Sequence, residues 1–208
     1  EGKIDQVVVV KDGQYYDVKR SMNQWFNLDT SKRRCSNGQP TYTILKGFEE
    51  VQSNYFLHVD SDCLFVRKDR GHDYLGDMLN VLDSDERAIS VSFNIAHEED
   101  IEYSYEDNGV PWRVETRCSL VHKPRLMDLL PLPNQLDEDG CIKYPWHRSL
   151  DQAIIEKNVY NYRGGDRRTF FVHVPNSFKT SHNEWYNVVK AAERGQVQRS
   201  QIGQVNLQ

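Results

Sequence analysis

The feature that most constrains this chain is an apolar run interrupted by two acids, residues 55–65 (YFLHVDSDCLF). Its aromatic and branched side chains favour a buried strand. The two acids do not, because a buried carboxylate needs a partner. Residues two apart in an extended segment point to the same side. Asp60 and Asp62 are therefore expected to face one ligand together, while Ser61 faces away.

Two interpretations of this motif follow from the residues. In open α/β sheets, ligands bind outside the carboxyl ends of the strands. Carboxylates at such a place can hold a hard divalent cation, and the cation can hold phosphates. The alternative is an ordinary turn between two strands, since Asp-Ser-Asp is common turn chemistry. Three residues do not decide between them.

The segment before the acids predicts a helix that leads into the strand, which is half of a βαβ unit. Its apolar positions have helical spacing: Ile44, Leu45, Phe48 and Val51. The helix glycine, the small residue, the aromatic strand and the acids then occur in order at Gly47, Ser53, Tyr55, Asp60 and Asp62. In this order and spacing, the chain resembles the GT-A glycosyltransferases, especially the large family 2 group.

The resemblance implies an α/β fold of the GT-A type, a nucleotide-binding Rossmann-like domain with a central, mostly parallel sheet flanked by helices. Residues 6–10 are similar to the second strand of that family and suit a buried parallel strand. Few residues precede them, so we expect the first strand to be missing and the chain to be N-terminally incomplete. We expect a single domain over residues 1–194, followed by a polar tail or linker at residues 195–208.

The resemblance also implies a site for a sugar nucleotide. Asp12 would hydrogen-bond the base, and Asp60, Ser61 and Asp62 would bind the diphosphate through Mn²⁺ or Mg²⁺. Lys179 is a further diphosphate candidate, although a solvated lysine is the commoner case.

A late-strand histidine completes the metal's ligands in several families of this kind. His173 matches that position, and His182 is the second choice. A neutral imidazole beside two carboxylates suits Mn²⁺ better than Mg²⁺. The alternative is a histidine that only satisfies hydrogen bonds.

Asp151 is the candidate catalytic base. Many GT-A enzymes place an acid at the start of the helix beside the acceptor, and in inverting enzymes this acid takes the proton. The alternative is structural: Ser149 would be the N-cap, and Gln152 would complete a capping box. Asp151 would then lie in the first turn, where a carboxylate suits the helix dipole.

The remaining segments are assigned from pattern and turn residues. Helices are expected at residues 15–28, 69–82, 124–130 and 184–194, strands at residues 88–93, 112–122, 159–162 and 169–174, and an acidic loop at residues 96–109.

Composition excludes some classes of function. The 208 residues carry a net charge of −5 without a long basic run, which argues against a nucleic-acid groove. No segment approaches the length of a membrane span, and the start of the sequence lacks the pattern of a signal peptide. The four cysteines form no CxxC pattern. They could pair into two structural disulfides, but we expect free thiols in a reducing compartment and therefore a cytoplasmic protein.

The sequence therefore predicts a hexosyltransferase that moves a sugar from a nucleotide diphosphate to a hydroxyl of a glycan, lipid-linked or protein acceptor. Two alternatives stay open. A nucleotidyltransferase would need a glycine-rich, basic phosphate loop near the N-terminus, and none is visible. A carbohydrate-binding or scaffold domain would keep the fold without the chemistry.

Overall fold

The computed structural model describes residues 15–96, 101–107, 109–115, 117–174 and 180–203, together with residues 7, 9, 11 and 178. These residues form a mixed α/β structure, as predicted. In chain order the helices are α1 Tyr15–Phe26, α2 Tyr42–Glu50, α3 Tyr74–Ser84, α4 Lys123–Met127, α5 Trp146–Lys157 and α6 His182–Glu193, with a 3₁₀ helix at Arg199–Gln201. The strands are β1 Tyr55–Val59, β2 Cys63–Arg67, β3 Ala88–Phe93, β4 Ile101–Ser104, β5 Glu106–Asp107, β6 Val110–Pro111, β7 Cys118–His122, β8 Tyr160–Gly165 and β9 Thr169–His173.

The chain divides into two compact units. The first contains residues 1–54 and 123–157, and the second contains residues 55–122 and 158–208. The single domain expected over residues 1–194 stays a prediction.

The first unit is helical in its described part. One face of α1 is buried, because its apolar residues recur at helical spacing. An aromatic cluster joins the helices: the ring of Phe48 lies 6.1 Å from Trp25 and 5.3 Å from Trp146. Such rings bury large apolar areas, so this cluster is the centre of the unit's core.

The second unit contains a five-stranded sheet with the order β1-β7-β3-β8-β4. Only β3 and β8 pair in parallel, and the other three pairings are antiparallel. The expectation of a mostly parallel sheet is therefore wrong for the described strands. Every residue of the central strand β3 is buried, and its bounds agree with the prediction. The apolar pattern indicated a buried strand, but it carries no information about strand direction.

A second, two-stranded sheet pairs β2 with β9, and a short hairpin pairs β5 with β6. Helix α3 covers the core through Met78 and Leu82, which pack near Val91, Phe93 and Phe171. The helix begins later than residue 69, because the Asp73 carboxylate accepts the Gly76 N–H at 2.9 Å and caps the first turn.

The predicted acidic loop at residues 96–109 is wrong as a loop, because this segment contains the strands β4 and β5. Strand β4 pairs with the end of β8, where Gly164 and Gly165 have φ of 129° and 105°. A Cβ on Gly164 would lie 2.7 Å from the Glu102 carbonyl oxygen, so this close approach requires glycine.

The termini also differ from expectation. In the predicted strand at residues 6–10, the described residues Val7 and Val9 are exposed and lie outside any strand, and the others lie outside the described residues. In the predicted tail, Gln201 is fully buried, and the Gly203 N–H donates to the Ala96 carbonyl at 2.6 Å. Among the helices just described, none is long and apolar enough to cross a bilayer.

The packing of α3 predicts a contrast between two leucines of one helix. Leu82 is fully buried, whereas Leu75 is 37% exposed. Leu82→Ala is expected to lower the free energy of unfolding by about 2–5 kcal/mol, because it leaves a cavity. Leu75→Ala, the matched control, should cost less than about 1 kcal/mol. Urea denaturation of both variants measures the difference, and equal losses would contradict this packing.

Candidate functional site

The Asp60-Ser61-Asp62 segment is a turn between β1 and β2. The Cys63 N–H donates to the Asp60 carbonyl at 3.0 Å. The expectation that the two acids face one side of an extended segment is therefore wrong, and the turn interpretation describes the backbone. Ser61 is exposed at the tip.

Two backbone hydrogen bonds hold this turn. The Asp60 N–H donates to the carbonyl of Arg117, just before β7, at 2.7 Å. The Val174 N–H, just after β9, donates to the Asp62 carbonyl at 3.2 Å. The turn is therefore fixed at the place where the chain leaves the five-stranded sheet and enters the two-stranded one.

The antiparallel pairing of β2 with β9 brings His173 to Asp62. Cys63 is the register partner of His173. The His173 Nε2 consequently lies 3.5 Å from Asp62 Oδ2. Both side chains are mostly buried, with 19% and 25% exposure. His182, the other candidate ligand, is the exposed first residue of α6, after the N-cap Ser181.

Asp60 lies beside a different histidine. His58 Nε2 lies 3.5 Å from Asp60 Oδ1. His58 was not predicted from the sequence, although its position two residues before Asp60 was the available signal. Asp60, Asp62 and His173 do not form a compact ligand group. Within the described residues, the one group of three ligand atoms that all lie within 4.8 Å of one another is elsewhere, at His72, Asp77 and Asp166.

Glu115, a buried carboxylate beside the turn, was also not predicted from the sequence, and it binds two arginines. Glu115 Oε2 accepts a hydrogen bond from Arg163 Nη2 at 2.6 Å, and Glu115 Oε1 accepts from Arg117 Nη1 at 2.8 Å. The Arg163 guanidinium lies 5.3 Å from the Trp112 ring centre. Burial raises the pKa of Glu115, but the two arginines outweigh it and hold this pKa below its usual value of 4.5.

The thiol that follows the turn is neutral at physiological pH. Burial, reinforced by the charges of Asp62 and Asp60, raises the pKa of Cys63 to about 12. All four cysteines are free thiols, as expected.

Asp151 belongs to the first unit and does not lie where the capping box predicted. Helix α5 begins at Trp146, and the Ser149 N–H donates to the Pro145 carbonyl at 3.3 Å. Ser149 is therefore inside the helix and not its N-cap, and Asp151 is in the second turn. Asp151 Oδ2 lies 3.3 Å from Arg148 Nη1. A capping box therefore no longer supports the structural interpretation of Asp151.

Two predicted residues, Asp12 and Lys179, lie outside the described residues. Of the predicted set, the structure thus brings together Asp62 and His173, with Asp60 and Ser61 in the same turn.

Comparison with known proteins adds no relative. The chain matches no protein-family model, no curated protein and no solved structure.

The Glu115 network predicts an acid-sensitive contribution to stability. Because the folded-state pKa is lowered, this contribution is present above pH 4.5 and is lost as the pH falls through the folded-state value. Glu115→Gln should lower the free energy of unfolding by about 3–5 kcal/mol at pH 7, since it leaves the buried Arg163 and the partly exposed Arg117 without their counterion. The loss should be smaller in acid. Urea unfolding at several pH values measures it.

The matched control is Glu86→Gln, because Glu86 is exposed in the same unit. It should change stability by less than about 0.5 kcal/mol. An equal effect of both substitutions, or a loss at Glu115 that does not depend on pH, would contradict the buried network.

Proposed function

We propose that this protein is a metal-dependent glycosyltransferase with a GT-A-like fold. The observation that supports the proposal is the pairing of Asp62 with His173, 3.5 Å apart, at a turn after a strand. This is the pair of ligand types that the resemblance implied, drawn from segments more than a hundred residues apart. The structure agrees with that fold in its mixed α/β class but not in the direction of most described strands, and the GT-A assignment itself is part of the proposal.

The chemistry of the pair fits a divalent cation. A neutral imidazole and a carboxylate together suit Mn²⁺ better than Mg²⁺. Asp62 and His173 would hold the ion, and Asp60, at the other end of the turn, is the further candidate ligand. When bound, the ion would neutralise charge on the diphosphate leaving group. The remaining ligands would come from the diphosphate, because two protein groups do not complete a coordination shell.

The other roles follow from the resemblance. Asp12 would bind the nucleotide base, and Lys179 and Ser61 would approach the diphosphate. The sugar would leave through an oxocarbenium-like transition state, as in glycoside hydrolysis. If the reaction inverts, Asp151 would accept the proton of the acceptor hydroxyl. A base must reach that hydroxyl, so the Asp151–Arg148 ion pair would have to open during turnover.

The proposed metal site predicts that UDP affinity depends on manganese, and that this dependence is lost when a ligand residue is replaced. UDP with Mn²⁺ is titrated into the protein by calorimetry. Asp62→Asn should weaken the manganese-dependent part of UDP affinity at least tenfold, because an amide replaces a charged ligand. His173→Ala should do the same, whereas His182→Ala should not. Thermal melting of each variant checks that the fold is intact.

The control is Asp128→Asn, an exposed acid of the first unit. It should leave UDP affinity unchanged with and without manganese. Unchanged affinity in Asp62→Asn would remove the metal site from the proposal. Loss of folding in that variant would instead support a purely structural turn.

The second prediction concerns catalysis. Asp151→Asn keeps the size of the side chain but removes its basicity. Turnover should fall by about 10²- to 10⁴-fold, the usual contribution of a positioned proton acceptor. UDP affinity and melting temperature should change little. Sugar transfer, or donor hydrolysis with and without manganese where no acceptor is known, provides the assay.

Transfer within about threefold of the wild-type rate would remove Asp151 from the mechanism. An Arg148→Gln variant separates the charge pair from the base, because it keeps the carboxylate. It should retain far more activity than Asp151→Asn.

A further inference from the structure

A buried histidine of the second unit faces two carboxylates outside the site already described. His72 is 7% exposed. Its Nδ1 lies 2.9 Å from Thr169 Oγ1, so this nitrogen is occupied. Its Nε2 lies 2.6 Å from Asp77 Oδ2 and 3.7 Å from Asp166 Oδ2. The three ligand atoms all lie within 4.8 Å of one another.

The fold fixes each of these residues from a different segment. His72 precedes α3, and Asp77 lies in the first turn of that helix. Asp166 follows the end of β8, and Thr169 begins β9. The backbone of His72 is held as well, because Arg67 Nη2 donates to its carbonyl at 3.2 Å. The convergence therefore depends on tertiary packing and not on a local sequence motif.

We propose that His72, Asp77 and Asp166 bind one divalent transition-metal ion of the zinc class. A metal-binding histidine commonly has its second ring nitrogen fixed by a hydrogen-bond partner, and Thr169 supplies that partner here. Ligand atoms on one tetrahedral zinc lie about 3.3 Å apart, given bonds of about 2.0–2.1 Å. The distance to Asp166 is close to this value. The distance to Asp77 is shorter, so this carboxylate, 45% exposed, would have to rotate outward to admit the ion.

An open groove borders the carboxylates. It has a volume of about 470 Å³ and is lined by Asp77, Asn80, Glu102, Tyr103 and Asp166, among others. Three protein ligands leave a coordination position for water, as in zinc sites that are not purely structural. The groove is where that position would open, and the Glu102 carboxylate adds negative charge that favours a cation.

One side chain of the protein competes with the metal. Arg168 forms an ion pair with Asp166, through the same oxygen that faces His72. A bound ion would have to displace this guanidinium or share the carboxylate with it. Removal of the arginine charge should therefore strengthen metal binding, whereas removal of a ligand should weaken it. These opposite effects separate a metal site from a network that needs only its hydrogen bonds.

The experiment is calorimetric titration of Zn²⁺, and in parallel Mn²⁺, into the Asp62→Asn His173→Ala double variant. In that background the site of the proposed transferase is disabled, so failure of one proposal does not decide the other. One zinc ion is expected per chain. Adding Asp77→Asn or Asp166→Asn should each weaken zinc affinity at least tenfold, and Thr169→Val about 10- to 100-fold, as outer-shell losses do. Arg168→Gln should strengthen it.

Thermal melting provides the second measurement. At a zinc concentration about a hundred times the dissociation constant, the melting temperature should rise by roughly 5–10 °C, and EDTA should reverse the rise. Circular dichroism confirms that each variant is folded. The absence of zinc binding in the double variant would overturn the proposal. Equal zinc affinity in the variants with and without Asp166→Asn would overturn it as well.

Discussion

The position of the candidate transferase site depends on the register between β2 and β9. The chain leaves one sheet after β1 and enters the other at Cys63, whose register partner is His173. Asp62, one residue earlier, consequently lies beside that histidine. A slip of one residue would turn every side chain of a strand to its other face. The imidazole would then point away from the carboxylate, so the site requires this pairing and no other.

The register is fixed because both faces of the small sheet are buried against different partners. Phe65 and its register partner Phe171 face the core that contains Phe93, and the Phe65 and Phe93 rings stack 4.5 Å apart. Val66 and Phe170 belong to the other core, with Val188 of α6. A shifted strand would lose apolar burial on both faces, at about 25 cal/mol per Å² of apolar area. The hydrophobic cores thereby determine where the polar pair lies.

The pattern of apolar residues predicted the positions of helices and strands better than it predicted which segments pack or pair with one another. The bounds of β3 were predicted correctly from a segment of four apolar residues that also contains Ser90 and Ser92, and the approach of His173 to Asp62 was expected from the resemblance. The expectation of a mostly parallel sheet was wrong, because a strand buried on both faces has the same composition whether its neighbours run parallel or antiparallel to it. The capping box at Ser149 was wrong because the helix already begins at Trp146. Glu115 and His72 were missed, since each also depends on a partner that is distant in sequence: Arg163 for Glu115 and Asp166 for His72.

The two histidine–carboxylate groups differ in what they would require from a ligand. In the described part of the chain His173 lies beside the Asp62 carboxylate, so an ion at the proposed site would take further ligands from a bound diphosphate. His72 has two carboxylates and a fixed second nitrogen, so it would bind an ion without a substrate. Binding at the first site would therefore be coupled to nucleotide, and binding at the second would not. Because the coupling of two ligands is reciprocal, nucleotide would raise metal affinity only at the turn, which makes the two sites separable by thermodynamics alone.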